Sequence, residues 1–531
     1  MKLYKDKYFL WLSLAAALVS FVFYYITKAP TVSFWDCGEF IATSYIMGIP
    51  HPPGNPLFVI IGRFFSMLPL AADIAVRVNL ISVISSAASV FVAFWLILRL
   101  AIGNRENPPD RAARIGLGIG AFAGSLIMGF SNTFWSNAVE AEVYGLAMLL
   151  MLIVTYLALI WSQNTEKPGN DRWLLLISYL LWISLGIHLT TFIITIPLML
   201  YLAYIDYVKN GLERWPIWIV MLLFVLYAVP LQTQILSIIG INIRAYELES
   251  FFIIMGLLFS ASLVMFFITR SRGQESVRIW GLTLAIFAFG VLGYSNQVYI
   301  PLRASEKPAI NENDPSDWSR FKAFLERKQY GQESMITRMF HRRATWENQF
   351  ISHPDFGLFH LLTKQFASPD AKLTLFSKKP EGDSSGVDFS LNLWIIFVVI
   401  LGISGIMEAV KRAPPEGTFI VFTMLLCTVG LVFYLNFSDG TKAIAPLAEV
   451  RARDYFYTPG FMFYAILIGI GIASFLELLG EYSSRVFGGK RSWQKALFPL
   501  GLVVAILLPV HTGFANFTNN DRAGNYLPWD Y

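Results

Sequence analysis

Residues 8–27 read YFLWLSLAAALVSFVFYYIT, and residues 28–40 continue as KAPTVSFWDCGEF. The first stretch carries no charge, and about 20 such residues in a helix cross roughly 30 Å of hydrocarbon. The second stretch sets two acids just beyond the far end of that helix. Lys2, Lys5 and Lys7 precede the apolar run, as in a signal peptide, but bulky Phe and Tyr close it and no small-residue cleavage site follows. The spacing predicts a retained first membrane helix.

The same pattern recurs along the chain. Further apolar runs fall at 80–100, 115–131, 143–161, 173–187, 189–204, 216–239, 250–269, 279–295, 391–410, 417–435, 460–477 and 497–511. Together with the first they give about thirteen candidate spans, two of them separated only by His188. Composition agrees: of 531 residues 55% are hydrophobic and 15% charged, where soluble domains carry roughly a quarter charged residues. Mean hydropathy is +0.54. The expected class is an all-α polytopic membrane protein, a single transmembrane domain over 1–531. The net charge of +5 comes without a basic stripe interleaved with aromatics, so no nucleic-acid partner is expected. Cys37 lies beside a charged motif and Cys427 inside an apolar run, which gives no reason to pair them.

Basic residues set an orientation. Cytoplasmic short loops are enriched in Lys and Arg, and alternate connections carry Arg105, Arg111 and Arg114; Lys167 and Arg172; Lys209 and Arg214; Arg270, Arg272 and Arg278; Lys411 and Arg412; and Arg485, Lys490 and Arg491. The opposite short connections are nearly free of them, Arg244 being alone in its loop. The N-terminus is thus expected in the cytoplasm and the C-terminus outside. Three long extracytoplasmic segments follow: 28–79, 297–390 and 436–459. Polar loops on one face of an apolar scaffold are where binding and chemistry usually reside. No internal repeat of the kind common in transporters is visible.

The candidate working residues lie in these segments. If the chain is helical from Asp36, then Asp36 and Glu39 share a face, and a carboxylate at the membrane edge suits a general base for a hydroxyl. Acids at a helix start also favour the dipole with no chemistry at all. His51 sits in GIPHPPGNP at 48–56, a stretch whose prolines and glycines fix an irregular turn. It is either a wet loop residue or one held against the Asp36 region. Glu140 and Glu142 stand where a short outer loop re-enters the bilayer, as caps or as functional acids. His188, in GIHLTT, is more often structural at such a position. In the long insert lie Arg303, within NQVYIPLR, and the stretch ERKQYG at 326–331; the last outer loop carries Glu449, Arg451, Arg453 and Asp454 in EVRARDYFY. A guanidinium just outside a bilayer suits a phosphate, although attraction to lipid head groups or pairing with nearby acids explains such residues equally well. No Walker loop, dinucleotide fingerprint or zinc spacing is present, which directs an enzyme reading toward a membrane-borne donor. A divalent metal is compatible with the chemistry, but no ligand cluster demands one.

The ordered set WDCGE (35–39), HPPGNPL (51–57), RVN (77–79), EVY (142–144) and RARDYF (451–456) resembles one family. It comprises polytopic proteins long known as a domain of unknown function, among them the animal protein O-mannosyltransferase acting on plexin-type receptor ectodomains. That family is similar to the GT-C glycosyltransferases, which use polyprenyl-phosphate sugars. The resemblance covers nearly the whole chain and is to bacterial members. It implies a GT-C-like helical bundle with short helices in its extracytoplasmic loops, in the bacterial inner membrane. Many bacterial members carry a further extracytoplasmic C-terminal domain. A chain ending at Trp529-Asp530-Tyr531 is expected to be a shorter member or a piece of a longer one.

What the resemblance implies is transfer of a sugar, expected to be mannose, from a polyprenyl-phosphate donor to Ser or Thr of a secreted or membrane protein, with inversion. Asp36 is then the expected base, Glu39 the second choice, and Arg303, Arg451 and Arg453 the phosphate ligands. His51, Glu142 and His188 are candidates for orienting acceptor or phosphate. Two other readings stand beside it: a GT-C transferase with a glycan or lipid acceptor, and a lipid-sugar flippase. The flippase reading calls for ionisable residues in mid-span and paired half-helices.

Overall fold

In hydrocarbon no water reaches main-chain N–H and C=O groups, so a spanning segment satisfies them internally as a helix. The computed structural model follows that rule over the residues it describes, 6–105, 107–167, 169–228, 248–270, 273–330, 339–366, 374–377, 388–390, 393–485 and 494–530. The chain opens with α1 (Lys7–Thr27), whose start is capped by the Asp6 side chain accepting from the Tyr8 N–H. Two short helices, α2 (Asp36–Ile46) and α3 (Pro56–Met67), fill the first long loop before α4 (Ile74–Ile102). Then come α5 (Arg111–Phe130), α6 (Asn132–Ala138), α7 (Val143–Gln163), α8 (Arg172–Ser184), α9 (Thr195–Asn210), α10 (Trp215–Ala228), α11 (Leu248–Thr269) and α12 (Gln274–Tyr294). The long insert begins with α13 (Tyr299–Ser305) and α14 (Trp318–Leu325) and continues to α15 (Leu358–Phe366) and two short antiparallel strands, β1 (Thr374–Ser377) and β2 (Asp388–Ser390). The chain closes with α16 (Leu393–Arg412), α17 (Pro414–Leu425), α18 (Leu431–Leu435), α19 (Thr458–Arg485), α20 (Gln494–Asn520) and α21 (Leu527–Asp530).

Among the described residues eleven helical stretches are long and apolar enough to cross a membrane. The all-α polytopic class is therefore borne out for the membrane-crossing part, the two short strands of the long insert aside. Two of the predicted runs differ. The run at 173–187 forms α8, only 13 residues long, because the backbone leaves the helix before His188. That residue instead starts a 3-10 turn, Leu189–Ile194, leading into α9. The run at 216–239 starts as α10, and its continuation beyond Ala228, like Arg244, Arg272, Lys490 and Arg491, lies outside the described residues. So do parts of the long insert.

The chain divides into two compact units. The first comprises Met1–Pro30, Ser82–Glu140 and Arg342–Leu527; the second comprises Thr31–Ile81, Ala141–His341 and Pro528–Tyr531. In the first, α5 lies against α19 at backbone-to-backbone range. A Cβ at Gly120 would stand 2.5 Å from the Ala473 Cα, and one at Gly124 would collide with the Gly469 Cα. On another side of α19, Gly471 closes on Leu401 of α16, and Gly405 on Leu467. Lipid tails are as apolar as leucine, so such helices gain by close van der Waals packing of small residues rather than by hiding apolar surface. One buried carboxylate of this unit is doubly paired: Glu477, 5% exposed, accepts from Arg105 at 2.8 Å and from Arg412.

In the second unit the buried Arg214, 2% exposed, bridges Asp206 at 2.7 Å and Asp171 at 2.9 Å, and the Trp218 indole N–H donates to Asp206 at 2.8 Å. A guanidinium so buried requires this degree of pairing.

The glycine seam is open to test. Gly124→Val forces two backbones apart and should cost about 1–3 kcal/mol or more, lowering the unfolding temperature of the detergent-solubilised protein. Gly256→Ala in α11, where an added Cβ meets nothing within 4 Å, should leave that temperature unchanged.

Candidate functional site

The first-loop motif folds around a strained start. Trp35, which precedes α2, has φ 66° and ψ −139° and gives the helix no side-chain cap. That region is essentially reserved for glycine, and non-glycine residues held there cluster at sites where geometry matters. It aims the first turn of α2, which carries Asp36 and Glu39 on the dipole's positive end. At its other end α2 stops on Met47, left-handed at φ 54°. The carbonyls left open there are met from α13: Arg303 donates to Met47 O at 2.7 Å and Ile46 O at 3.2 Å, and the Tyr299 hydroxyl donates to Gly48 O at 3.1 Å.

The turn between α2 and α3 is then fixed on every side. Ile49 bridges to the 310–312 segment, its N–H donating to Ile310 O at 2.9 Å and its carbonyl accepting from the Glu312 N–H at 3.1 Å. Glu39 grips His51 twice, accepting from its main-chain N–H at 2.8 Å and from Nδ1 at 2.5 Å. Gly54, at φ +86°, lies so near α14 that a Cβ would stand 2.9 Å from the Phe324 ring. Asn55 leads into Pro56 at the first turn of α3, where a missing N–H costs nothing. The next donors of α3, Leu57 and Phe58, find the Gly186 carbonyl at 2.8 and 3.3 Å. This bond docks the His188 segment on the turn. Gly186 itself is pressed against the Asn296 side chain, where a Cβ would collide with Oδ1.

His188 accepts from the Thr190 N–H through Nδ1 at 3.2 Å, so its proton sits on Nε2. Its ring lies 4.8 Å from Tyr144. Burial, together with the charges of Arg327 and His51, holds this imidazole down to about 3, and it stays neutral. His51 behaves oppositely: hydrogen bonding to Glu39 raises its pKa, with the Glu39 and Asp36 charges adding, against burial and Arg327. The Cys37 thiol reaches Glu142 at 3.5 Å, which brings the WDCGE and EVY motifs together. Arg77 and Asn79 are ties. Arg77 donates to the carbonyls of Ser66, Ala71 and Ala72 at 2.8, 2.7 and 3.3 Å, and Asn79 donates to Thr31 O at 3.1 Å.

One unit therefore holds Asp36, Glu39, His51, Glu142 and His188, as well as Arg303. The arginines expected beside them are otherwise engaged or elsewhere in the chain. Arg303 caps α2. In the first unit Arg453 is paired with Glu449 at 2.6 Å and with the Tyr455 hydroxyl at 2.9 Å, Arg451 lies over the Tyr455 ring at 5.2 Å, and Asp454 accepts from the Thr133 hydroxyl at 2.6 Å. Sequence reasoning quoted the stretch that holds Arg327 but gave that residue no role of its own, and its charge bears on both histidines. Nothing in the local string ERKQYG distinguishes it from a solvated run. Among the described residues no group of three His, Cys, Asp or Glu could hold a metal ion. Both cysteines are buried and neither is in a disulfide.

Comparison with known proteins bears out the resemblance read from the motifs. The family model described as the protein O-mannosyl-transferase TMEM260 N-terminal domain matches residues 36–211. That stretch begins at Asp36 and takes in Glu39, His51, Arg77, Glu142 and His188; RARDYF lies beyond it. The chain is 27% identical over 198 residues to protein O-mannosyl-transferase tmem260 of Dictyostelium discoideum, covering 35% of this chain and 22% of that one. It is 26% identical over 137 residues to protein O-mannosyl-transferase TMEM260 of Mus musculus, covering 26% and 18%. The matched part thus spans about a fifth of these relatives' length. Among solved structures, the apo oligosaccharyltransferase of Archaeoglobus fulgidus has a TM-score of 0.44 at 12% identity, covering 99% of this chain and 57% of that one. The oligosaccharyltransferase AglB of the same organism, in complex with an inhibitory peptide and a dolichol-phosphate, scores 0.45 at 12% identity, covering 98% and 57%.

The Glu39–His51 pair has a pH signature. The pair raises the folded-state pKa of His51 above its ordinary 6.5. Its contribution to stability is therefore complete below that ordinary value and is lost as pH rises through the raised pKa. Unfolding temperatures of the wild type and Glu39→Gln should differ most near pH 6, below the ordinary pKa of His51, and converge as the pH rises through its raised one.

Proposed function

We propose that this chain, similar over residues 36–211 to the TMEM260 mannosyltransferase family, is a membrane glycosyltransferase that moves mannose from a polyprenyl-phosphate donor to Ser or Thr hydroxyls of extracytoplasmic proteins. The observation that carries this reading is the clustering of Asp36, Glu39, His51, Glu142 and His188 in one unit, all within the stretch the family model matches. Loop charge supports an extracytoplasmic site, and the motifs' resemblance to bacterial members supports the inner membrane.

In this reading Asp36 takes the proton of the acceptor hydroxyl as its oxygen attacks the anomeric carbon. The bond from that carbon to the phosphate oxygen breaks on the opposite face, the configuration inverts, and polyprenyl phosphate departs with the bonding pair. Glu39 serves as a holder: with both oxygens on His51 it fixes the turn beside Asp36, and the base role stays with Asp36. Neutral His188, with Nε2–H as a donor, suits an oxygen of donor or acceptor. Charge that grows on the leaving phosphate is where fixed donors contribute most to the rate.

The test is purified protein with polyprenyl-phosphate mannose and a Ser/Thr peptide, scored for product by mass spectrometry. Asp36→Asn should lower transfer by about 10²–10⁴-fold with an unchanged elution profile and unfolding temperature. Undiminished transfer by that variant removes Asp36 from the base role. Product on a glycan or lipid, with none on peptide, moves the acceptor to those classes.

A further inference from the structure

Arg327 stands out among the charged groups of the second unit. It lies two residues beyond α14, after the capping Glu326, and its own backbone is left-handed at φ 53°, a conformation unusual for a residue other than glycine. The neighbouring acid is not its partner: Glu326 accepts from the Leu248 N–H at 2.8 Å and pairs with Lys328 at 3.0 Å. Among the described residues Arg327 forms no ion pair, and its Nε, shielded from solvent, has no hydrogen-bond partner. Its guanidinium lies 4.6 Å from the Tyr330 ring, a flat support that leaves the N–H edge open. α14 cannot drift, because Phe324 is packed with Ile49, Ile300 and Ala304 and touches Gly54 in the His51 turn. The anchor that brings α14 to that turn also brings the charge three residues later to His51 and His188.

The charge of Arg327, which forms no ion pair among the described residues, acts on both imidazoles, and the Phe324–Gly54 contact is the packing that brings its segment to the His51 turn. Arg327 opposes protonation of both rings, and Asp36 and Glu39 are the only acids whose charge acts on His51 among the described residues. Glu39 is committed to the His51 main chain and ring. A phosphoryl oxygen among these groups would take hydrogen bonds from the Arg327 edge and from neutral His188 Nε2–H, and would remove the repulsion.

We propose that Arg327, with His51 and His188, forms a phosphate-binding cradle in the second unit, and that Arg327 positions the phosphate of a lipid-linked donor beside Asp36. This rests on the transferase reading for the identity of the donor, but the anion site itself does not. Arg303 is left with the structural task of closing α2.

The test uses the full chain in nanodiscs, with farnesyl phosphate, farnesol and inorganic phosphate as probes and binding read by calorimetry. Arg327→Gln should weaken farnesyl phosphate binding by about tenfold or more, as loss of a charge-assisted bond requires, and leave farnesol binding unchanged. Arg327→Lys, which keeps charge without the planar fork, should fall between. Competition by inorganic phosphate that disappears in Arg327→Gln means the anion alone suffices; its absence with farnesyl phosphate binding still Arg327-dependent means the phosphate must be lipid-borne. Farnesyl phosphate binding equal in wild type, Arg327→Gln and Arg327→Lys overturns the proposal. Asp36→Asn separates the two readings, since it should keep Arg327-dependent binding while losing transfer. Arg327-dependent binding in a wild type that transfers to no acceptor would sink the transferase and keep the cradle.

Discussion

The carboxylate of Glu39 holds the second unit's working region together. With one oxygen on the His51 main chain and the other on its ring, it converts a proline- and glycine-rich stretch with few hydrogen bonds of its own into a rigid hub. The other attachments use that rigidity. The insert bridges to Ile49, α14 rests on Gly54, and the His188 segment feeds its Gly186 carbonyl to the first free donors of α3. A carboxylate at that position would gain some stability from the α2 dipole alone, but the dipole does not explain two contacts to a residue twelve positions away. Grip on His51 does.

This hub also separates roles that the chain leaves blurred. Asp36 and Glu39 share a helical face, and spacing offers no reason to prefer either as a base. The structure occupies both Glu39 oxygens. The two histidines diverge in the same way. His51, paired with a carboxylate, is pushed toward the charged form, while His188, buried and facing like charge, is held neutral with a defined tautomer. Groups of one kind driven apart by environment are a recurrent mark of sites that move protons or bind anions.

The membrane class and most helices were legible in the sequence because they depend on composition over windows of about 20 residues. Run 173–187 came out too short where a distant contact intervenes: the backbone leaves the helix and the Gly186 carbonyl meets α3. The first-loop motif stood out through its resemblance to a known family, while spacing alone left Asp36 and Glu39 open between a base and residues that favour the helix dipole. How each arginine is engaged was not legible. Arg303, Arg327, Arg451 and Arg453 are equivalent as letters beside apolar runs. What distinguishes them is the partner each finds: carbonyls of α2 for Arg303, Glu449 and Tyr455 for Arg453, and for Arg327 a helix anchored through Phe324 to a glycine far earlier in the chain. Such facts belong to long-range packing, and a single sequence carries no period or spacing that encodes them.

The glycine seam between α5 and α19 has a consequence for how the protein is made. Of the eleven span-length helices α5 is the least apolar, with a hydropathy of 1.4, and the helix whose backbone it needs lies more than three hundred residues downstream. At ribosomal speeds α19 emerges on the order of 20–60 s after α5. During that interval the glycine flank that meets α19 stays bare, while another side of α5 already has α1, whose Tyr24 hydroxyl donates to Gly129 O at 2.8 Å. The order of the genes' codons thus imposes a waiting period on assembly, and an insertion factor that shelters early, weakly apolar helices would matter more to this chain than the strength of any finished contact.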